Sequence, residues 1–293
     1  MSCTLIAAAC QSHGSARREK SPTGDPKRLV VLTPSLVEIA FALDLGPRVV
    51  GVTKFATYPK ETAQVPKVGD FLQPNVEIIA SLKPDMVLLD AVQVNAQASL
   101  KAAGIYTLAL PVESIEDVRA AVRAVGAATG RQAAADRLID QINADLRAAS
   151  VRHAGRARPR VLFAVDREVG SLRNLVCAGP GTYIDDLIRR AGGENVLGDA
   201  KLRFFRVAPE EIVARKPTVI LDAVHTTDAA RARDDWRALP TVPAVQSGRV
   251  HVLDDPAFVT PGPRLGLMLR RLSDLLYPET AGASQPASGT EAR

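Results

Sequence analysis

The chain has 293 residues, 46% hydrophobic and 24% charged, with a formal net charge of +5. That composition is globular, with apolar material for two medium cores, and no stretch reaches the roughly 18 apolar residues of a membrane span. Arginines are spread along the chain and no basic run is interleaved with aromatics, so the mild positive charge does not argue for nucleic acid.

The first ten residues are apolar and end in Ala7-Ala8-Ala9 before Cys10; a polar, aperiodic stretch follows to Pro26. This pairing is similar to a bacterial lipoprotein signal with a lipid-modified Cys10 and a flexible tether, over residues 1–26. If Cys3 leaves with the signal and Cys10 carries lipid, Cys177 stands alone. No disulfide framework is then expected, and Cys177 reads as a small buried apolar residue.

The first lobe is expected over residues 27–113. RLVVLTP reads as a buried strand, and Ser35 starts a helix through Glu38 to Leu43. A second strand runs from Arg48 to Thr53. The loop after it is rich in proline and turn residues and carries Phe55, Tyr58 and Phe71. A strand at Met86–Asp90, a helix from Asn95 to Ala103 and a strand at Tyr106–Leu110 complete the lobe. Strands alternating with helices imply parallel pairing and an α/β class.

A helical spine is expected over residues 114–152. Ile115, Val118, Val122 and Val125 recur at helical spacing, and Ser114 with Asp117 fits a capping box. Thr129-Gly130 reads as a stop. A second helix, Arg131 to Val151, carries the stripe Leu138, Ile142, Leu146, Ala149 and would be on the order of 30 Å long. Taken alone it is an ordinary amphipathic helix.

The second lobe is expected over residues 153–280. It opens with a strand at Arg160–Val165. A glycine-rich turn follows, then a capping box at Thr182 and Asp185, a helix to Ala191 and a Gly192-Gly193 stop. Gly179-Pro180-Gly181 lacks the third glycine of a dinucleotide fingerprint, and no Walker lysine follows. A loop with Phe204 and Phe205 comes next, then a helix to Trp236 and the strand in GRVHVLDD. The loop with Asp255 and Phe258 leads to a final helix, Leu265–Leu276. The Ala/Ser/Gly-rich tail, residues 281–293, is expected to be disordered.

The two lobes say nearly the same thing twice. VEIIASLKPDMVLLDAV from Val76 is echoed by EEIVARKPTVILDAV from Glu210. Each has a short helix ending in Lys-Pro, an apolar β-branched run and Asp-Ala-Val. Seven residues before each proline stands a glutamate, Glu77 or Glu210. The register slips by one after the prolines. A glutamate in a first helical turn is favoured by the helix dipole in any case, by about 0.3–1 kcal/mol.

No catalytic constellation is visible. His13, His153, His225 and His251 have no metal-ligand spacing, and there is no nucleophile elbow or H-E-x-x-H. No enzymatic activity and no resident metal or cofactor is therefore expected. Phe41 and Phe163 fall in core elements. The other five phenylalanines, Phe55, Phe71, Phe204, Phe205 and Phe258, fall in loops, where they either pack down on the lobes or face a cleft beyond the strand ends.

The segments from Arg28 to Pro278, among them VVLTPSLVEIAFALDLGPRVVGV, AGPGTYIDDLIRRAGGENVLGD, APEEIVARKP and W-x-x-L-P…G-R-V-H-V-L-D…PGPR, resemble in order the substrate-binding proteins of ABC importers for cobalamin, haem and ferric siderophores. The resemblance implies two parallel-sheet α/β lobes joined by a single long α-helix, with the ligand cleft between them (class III periplasmic-binding-protein-like). Within that family the chain is most similar to vitamin B12-binding proteins, which implies a corrinoid ligand, with haem or a ferric siderophore as the alternative. By position it implies aromatic ligand contacts at Phe55, Phe71 and Phe204; Tyr58, Phe205, Asp255 and Phe258 complete the expected ligand contacts. A first-lobe tryptophan of that group is Asp90 here. Arg203, Arg206 and Arg264 are the candidates for an anionic siderophore. Glu77 and Glu210 match the two glutamates that meet a permease dimer with its ATPase subunits. The implied protein is a monomer outside the cytoplasm, periplasmic or otherwise, tethered to the membrane only through lipid. An enzyme on an α/β scaffold and a membrane-tethered sensor are the rival readings.

Overall fold

The computed structural model of the chain describes residues 25–150, 157–223 and 228–278. In the first lobe β1 (Leu29–Val31), α1 (Pro34–Ala42), β2 (Val49–Val52), α2 (Val76–Ser81), β3 (Met86–Asp90), α3 (Val94–Ala102) and β4 (Thr107–Leu110) alternate. The sheet order is β2-β1-β3-β4, every pair parallel. A parallel sheet is covered on both faces, which is why these strands read as continuous apolar runs. The alternation still shows in the packing. Leu29 and Val31 enter one core cluster, Val30 and Leu32 the other.

The spine is a hairpin of two helices, α4 (Ile115–Ala128) and α5 (Gln132–Ser150). The capping box is present: the Asp117 amide donates to Ser114 Oγ at 3.0 Å, and the Ser114 amide to Asp117 Oδ2 at 2.9 Å. Gly130, at φ +68°, ends α4. The helices run antiparallel. Arg119 Nε donates to Asn143 Oδ1 at 2.9 Å, and a Cβ on Gly126 would fall 2.6 Å from that of Ala135. Both helices straddle the lobes. On α5, Ala135 and Ile139 enter the first-lobe core, and Ile142, Leu146 and Ala149 the second. On α4 the order reverses, with Ile115 and Val118 in the second-lobe core and Val122 and Val125 in the first. Each fully buried aliphatic side chain is worth roughly 1.5–3 kcal/mol over exposure. Prising either lobe off the hairpin would uncover several.

The second lobe comprises β5 (Arg160–Asp166), β6 (Val176–Ala178), α6 (Tyr183–Arg190), β7 (Glu194–Asn195), β8 (Phe204–Arg206), α7 (Pro209–Arg215), β9 (Val219–Asp222), α8 (Ala229–Asp235), α9 (Pro243–Gln246), β10 (Val250–Val252) and α10 (Leu265–Leu276). Its sheet order is β10-β9-β5-β6-β8, with β7 beside β5. The parallel part is β10-β9-β5, with β7 alongside; β6 and β8 add an antiparallel flank that the sequence did not announce. The chain passes from β5 to β6 without a helix, and only antiparallel strands can be joined that way. Thr182 caps α6 as expected. The Asp185 carboxylate does not close a box onto it, but accepts from the Gly181 amide and from Asn195 Nδ2.

The echo between the lobes is structural as well. Lys83 and Lys216, each just before its proline, take the left-handed region at φ 46° and 50°. A residue before proline is barred from the right-handed helical region, so the helix ends there. Cys177 is buried, and burial pushes its thiol up. Cys10 and the tail from residue 281 lie outside the described residues.

Candidate functional site

Between the lobes lies a cleft of about 610 Å³. It opens where the strands end, as ligand sites of open α/β sheets do. Thr33, Pro34 and Ser35 follow β1; Phe55 and Thr57 follow β2; Asp90 and Val92 end β3; Val112 and Glu113 follow β4. The second lobe supplies Val165 at the end of β5, Tyr183, Phe204 and the loop from Pro256 to Pro261. The walls are chiefly apolar, with a few polar groups set among them, the usual make-up of a small-molecule site.

Three of the expected aromatics meet here: Phe55 and Phe71 from the first lobe and Phe204 from the second. Phe71 is fixed by a chain of hydrogen bonds. The Asp90 amide donates to Thr33 Oγ1 at 3.0 Å and to Gln93 Oε1 at 2.8 Å. Thr33 Oγ1 also donates to Gln93 Oε1, and Gln93 Nε2 donates to the Phe71 carbonyl. Gln93 thus ties the Phe71 loop to the ends of β1 and β3. Phe55 is half exposed, with Lys54 Nζ 5.0 Å from its ring centroid.

Phe204 and Phe205 part company. They lie on β8, where successive side chains point to opposite faces. Phe204 packs toward the cleft side and Phe205 against the core on the other face of the sheet. Gly179 makes the placement of β8 feasible. Its amide donates to the Arg203 carbonyl at 2.6 Å, and a Cβ there would fall 2.2 Å from the Leu202 carbonyl oxygen. The glycine-rich turn therefore serves a close backbone approach.

Phe205, Phe258, Tyr58 and Asp255 do not line the cleft. Phe258 is 5% exposed and packs into the second-lobe core, its carbonyl accepting from Tyr183 Oη at 3.2 Å. The short turn Pro256–Val259 directs it inward, while Pro256 and Val259 face the cleft. Tyr58 sits in a neighbouring hollow beneath Arg264, 4.1 Å from guanidinium carbon to ring centroid. Asp255 caps that same short turn, accepting from the Ala257 amide at 2.8 Å, and pairs with Arg271 and Arg264. Burial opposes its charge, but the Ala257 amide and the two guanidinium groups hold its carboxyl below the usual range.

The charges of the site were largely invisible in the sequence. Arg264, between the cleft loop and α10, grips Glu38 of α1. Arg203 pairs with Glu113 at 2.7 Å across the cleft mouth. None of Arg203, Arg206 and Arg264 lines the cavity, whose one cation among the described residues is Lys54. Among the described residues the lining contains no histidine, cysteine or methionine, and its one tyrosine, Tyr183, is buried with its hydroxyl bonded to Phe258. Asp90 is 7% exposed. Burial pushes its carboxyl up, and the nearby carboxylates of Glu113 and Asp117 add to that, against the amides of Val92 and Ala91.

Residues 29–257 match the model of a family described as periplasmic binding protein. The chain belongs to the periplasmic binding protein family. A Bacillus subtilis (strain 168) member of similar sequence, an uncharacterized ABC transporter substrate-binding lipoprotein named YvrC, is 33% identical over 87% of this chain and 82% of its own. A vitamin B12-binding protein of Salmonella typhi is 27% identical over 85% and 90%. Among solved structures, the apo periplasmic heme-binding protein RhuT of Roseiflexus sp. RS-1 superposes with a TM-score of 0.75 at 31% identity, covering 87% of this chain and 99% of its own.

On the outer surface of this periplasmic binding protein, Glu77 and Glu210 are both exposed and each is the second residue of its helix, α2 or α7. Glu77 lies six residues after Phe71 and Glu210 six after Phe204. In each lobe a cleft aromatic is thus followed, a short helix entry later, by a surface acid.

Proposed function

We propose that this chain is the extracytoplasmic substrate-binding protein of an ABC importer, tethered through Cys10, and that it holds a corrinoid edge-on in the cleft. The observation that carries the reading is an aromatic cleft, with Phe55 and Phe71 on one wall and Phe204 on the other, whose lining among the described residues offers haem iron no histidine, cysteine, methionine or free tyrosine. Aromatic faces bury a large flat macrocycle without demanding many polar partners. A cobalamin exceeds 610 Å³, so the cleft would enclose one edge of it. Its cobalt brings its own ligands, whereas haem iron in proteins is held by an axial histidine, cysteine, methionine or tyrosine. The vitamin B12-binding relative supports the same reading.

Haem is the second reading, favoured by the heme-binding neighbour at 31% identity. Tyr58, 47% exposed, would then have to leave its place beneath Arg264 to reach iron. A ferric siderophore is less favoured, because the expected arginines are committed elsewhere or lie outside the cavity. For delivery, Glu77 and Glu210 would meet equivalent basic sites on the two halves of a permease dimer, one acid per lobe. The absorption spectrum of the purified protein after addition of cobalamin or haem and removal of free ligand tests the assignment. Retained corrinoid bands support it; retention of haem alone moves the assignment to the second reading.

A further inference from the structure

The two lobes match until their central strands end, and there they diverge. β9 ends on Asp222, whose carboxylate takes Arg167 at 2.9 Å and Trp236 Nε1 at 2.7 Å. β3 ends on Asp90, nearly as withdrawn from bulk water, but lining the cleft. Its Oδ1 accepts from the Val92 amide at 3.1 Å. Among the described residues no side-chain donor reaches the carboxylate, on which only the neighbouring amides of Val92 and Ala91 act, and no cation pairs with the group. The neighbouring acid, Glu113, has Arg203. Lys54, the cation of the lining, is drawn to Asp70 at 3.5 Å and to the Phe55 ring. The residue is largely buried, while its second oxygen still reaches the cleft and is open to a donor brought in by a ligand. Thr33 and Gln93 hold the Asp90 amide in place at the end of β3.

We infer that Asp90 is the specificity-determining acceptor of the cleft, taking an N–H donor on the edge of the ligand and rejecting ligands edged by carboxylates. The inference rests on the corrinoid reading and deepens it. A corrinoid ring carries carboxamide arms, whose N–H groups satisfy Oδ2. A haem carries carboxylates, and one placed there would face Asp90 with Glu113 close by. A site built to bond a donor discriminates strongly, because the wrong ligand leaves a buried group unpaired or repelled. The isolated acceptor, with no cation beside it, is also what a neutral donor requires. A free cation in the cleft would instead recruit anions.

The test compares two corrins that differ at the edge, cobinamide with carboxamides and cobyrinic acid with free carboxylates, by absorption titration of the full chain. Wild type is expected to prefer cobinamide by tenfold or more. Asp90→Asn is nearly the same shape, keeps the acceptor for the Val92 amide and adds a donor. It is expected to reduce that preference at least tenfold, mostly by gaining cobyrinic acid. Asp90→Ala, checked for folding by circular dichroism, is expected to lose cobinamide affinity and to narrow the gap as well. Cobinamide binding with the same preference in all three proteins overturns the role of Asp90 and leaves the corrinoid reading standing. Binding of haem with no binding of any corrin by wild type overturns both.

Discussion

Arg264 reaches across the two lobes and holds Glu38 with both arms of its guanidinium. Nε donates to Oε2 at 2.9 Å and Nη2 to Oε1, between residues 226 positions apart in sequence. Glu38 is a helix residue with its side chain 3% exposed, so the pair is nearly dry. The same guanidinium covers the Tyr58 ring and lies 3.8 Å from Asp255. One side chain thereby joins α1, the Tyr58 loop and the entry to α10, directly behind the cleft. With the helical hairpin shared by both cores, it gives the lobes a second fixed connection.

Removing one partner of such a pair strands the other. Arg264→Ala is expected to cost about 3–5 kcal/mol of stability, and Glu38→Met with Arg264→Met to recover most of it. Burial already pushes the Glu38 carboxyl up, against the pull of Arg264. A raised carboxyl means that the folded state binds more protons than the unfolded, so stability falls as pH rises through the window above the ordinary glutamate value. That window widens in Arg264→Ala. Urea denaturation at pH 4 and pH 7 should show the larger deficit at pH 7.

Asp90 carries the same sign. Its carboxyl is raised by burial, with Glu113 and Asp117 contributing, so its charge lowers stability as pH rises above the ordinary aspartate range. In the absence of ligand, Asp90→Asn is expected to melt higher than wild type at pH 7. The difference should shrink toward pH 4, as read by calorimetry at the two pH values. Equal melting at both would mean that the carboxylate is better solvated than its burial implies.

The aromatic residues divide by place. Phe71→Ala and Phe204→Ala are each expected to weaken ligand binding by roughly 1–3 kcal/mol with little loss of stability. Phe258→Ala should do the opposite. A buried phenylalanine cut to alanine costs about 3–5 kcal/mol of stability, and the cleft is not lined by its ring. Thermal melts and titrations on the same preparations separate the two effects.

That division was only partly legible beforehand. The capping box at Ser114, the Lys-Pro stops and the apolar strands are local signals, and local chemistry wrote them into the sequence. Phe204 and Phe205 were indistinguishable as loop residues because the three-residue strand that separates them depends on pairing with β6. Phe258 looked like its loop neighbours, and only the short turn capped by Asp255 sends it inward. The Glu38–Arg264 pair joins the two ends of the chain and has no sequence signature. Asp90 was visible only as a departure from the resembling family, and its burial at the cleft wall without a cation partner needed the fold.

Docking should be separable from binding. Glu77→Arg and Glu210→Arg are expected to leave ligand affinity and melting nearly unchanged, since both side chains are exposed at helix entries and neither belongs to a core cluster. Each should impair complex formation with the permease and uptake, the double change most, because such charge pairs mainly steer and orient encounter. Full uptake by the double variant in cells lacking the wild-type copy would remove these residues from the interface.

The most direct measurement is isothermal titration calorimetry of the purified chain with cobalamin and, in parallel, with haem. The corrinoid reading predicts saturable heat with cobalamin at one site per chain, with a dissociation constant of about micromolar or tighter, the scale of roughly −8 kcal/mol. No heat with cobalamin, together with saturable one-site binding of haem, would contradict it.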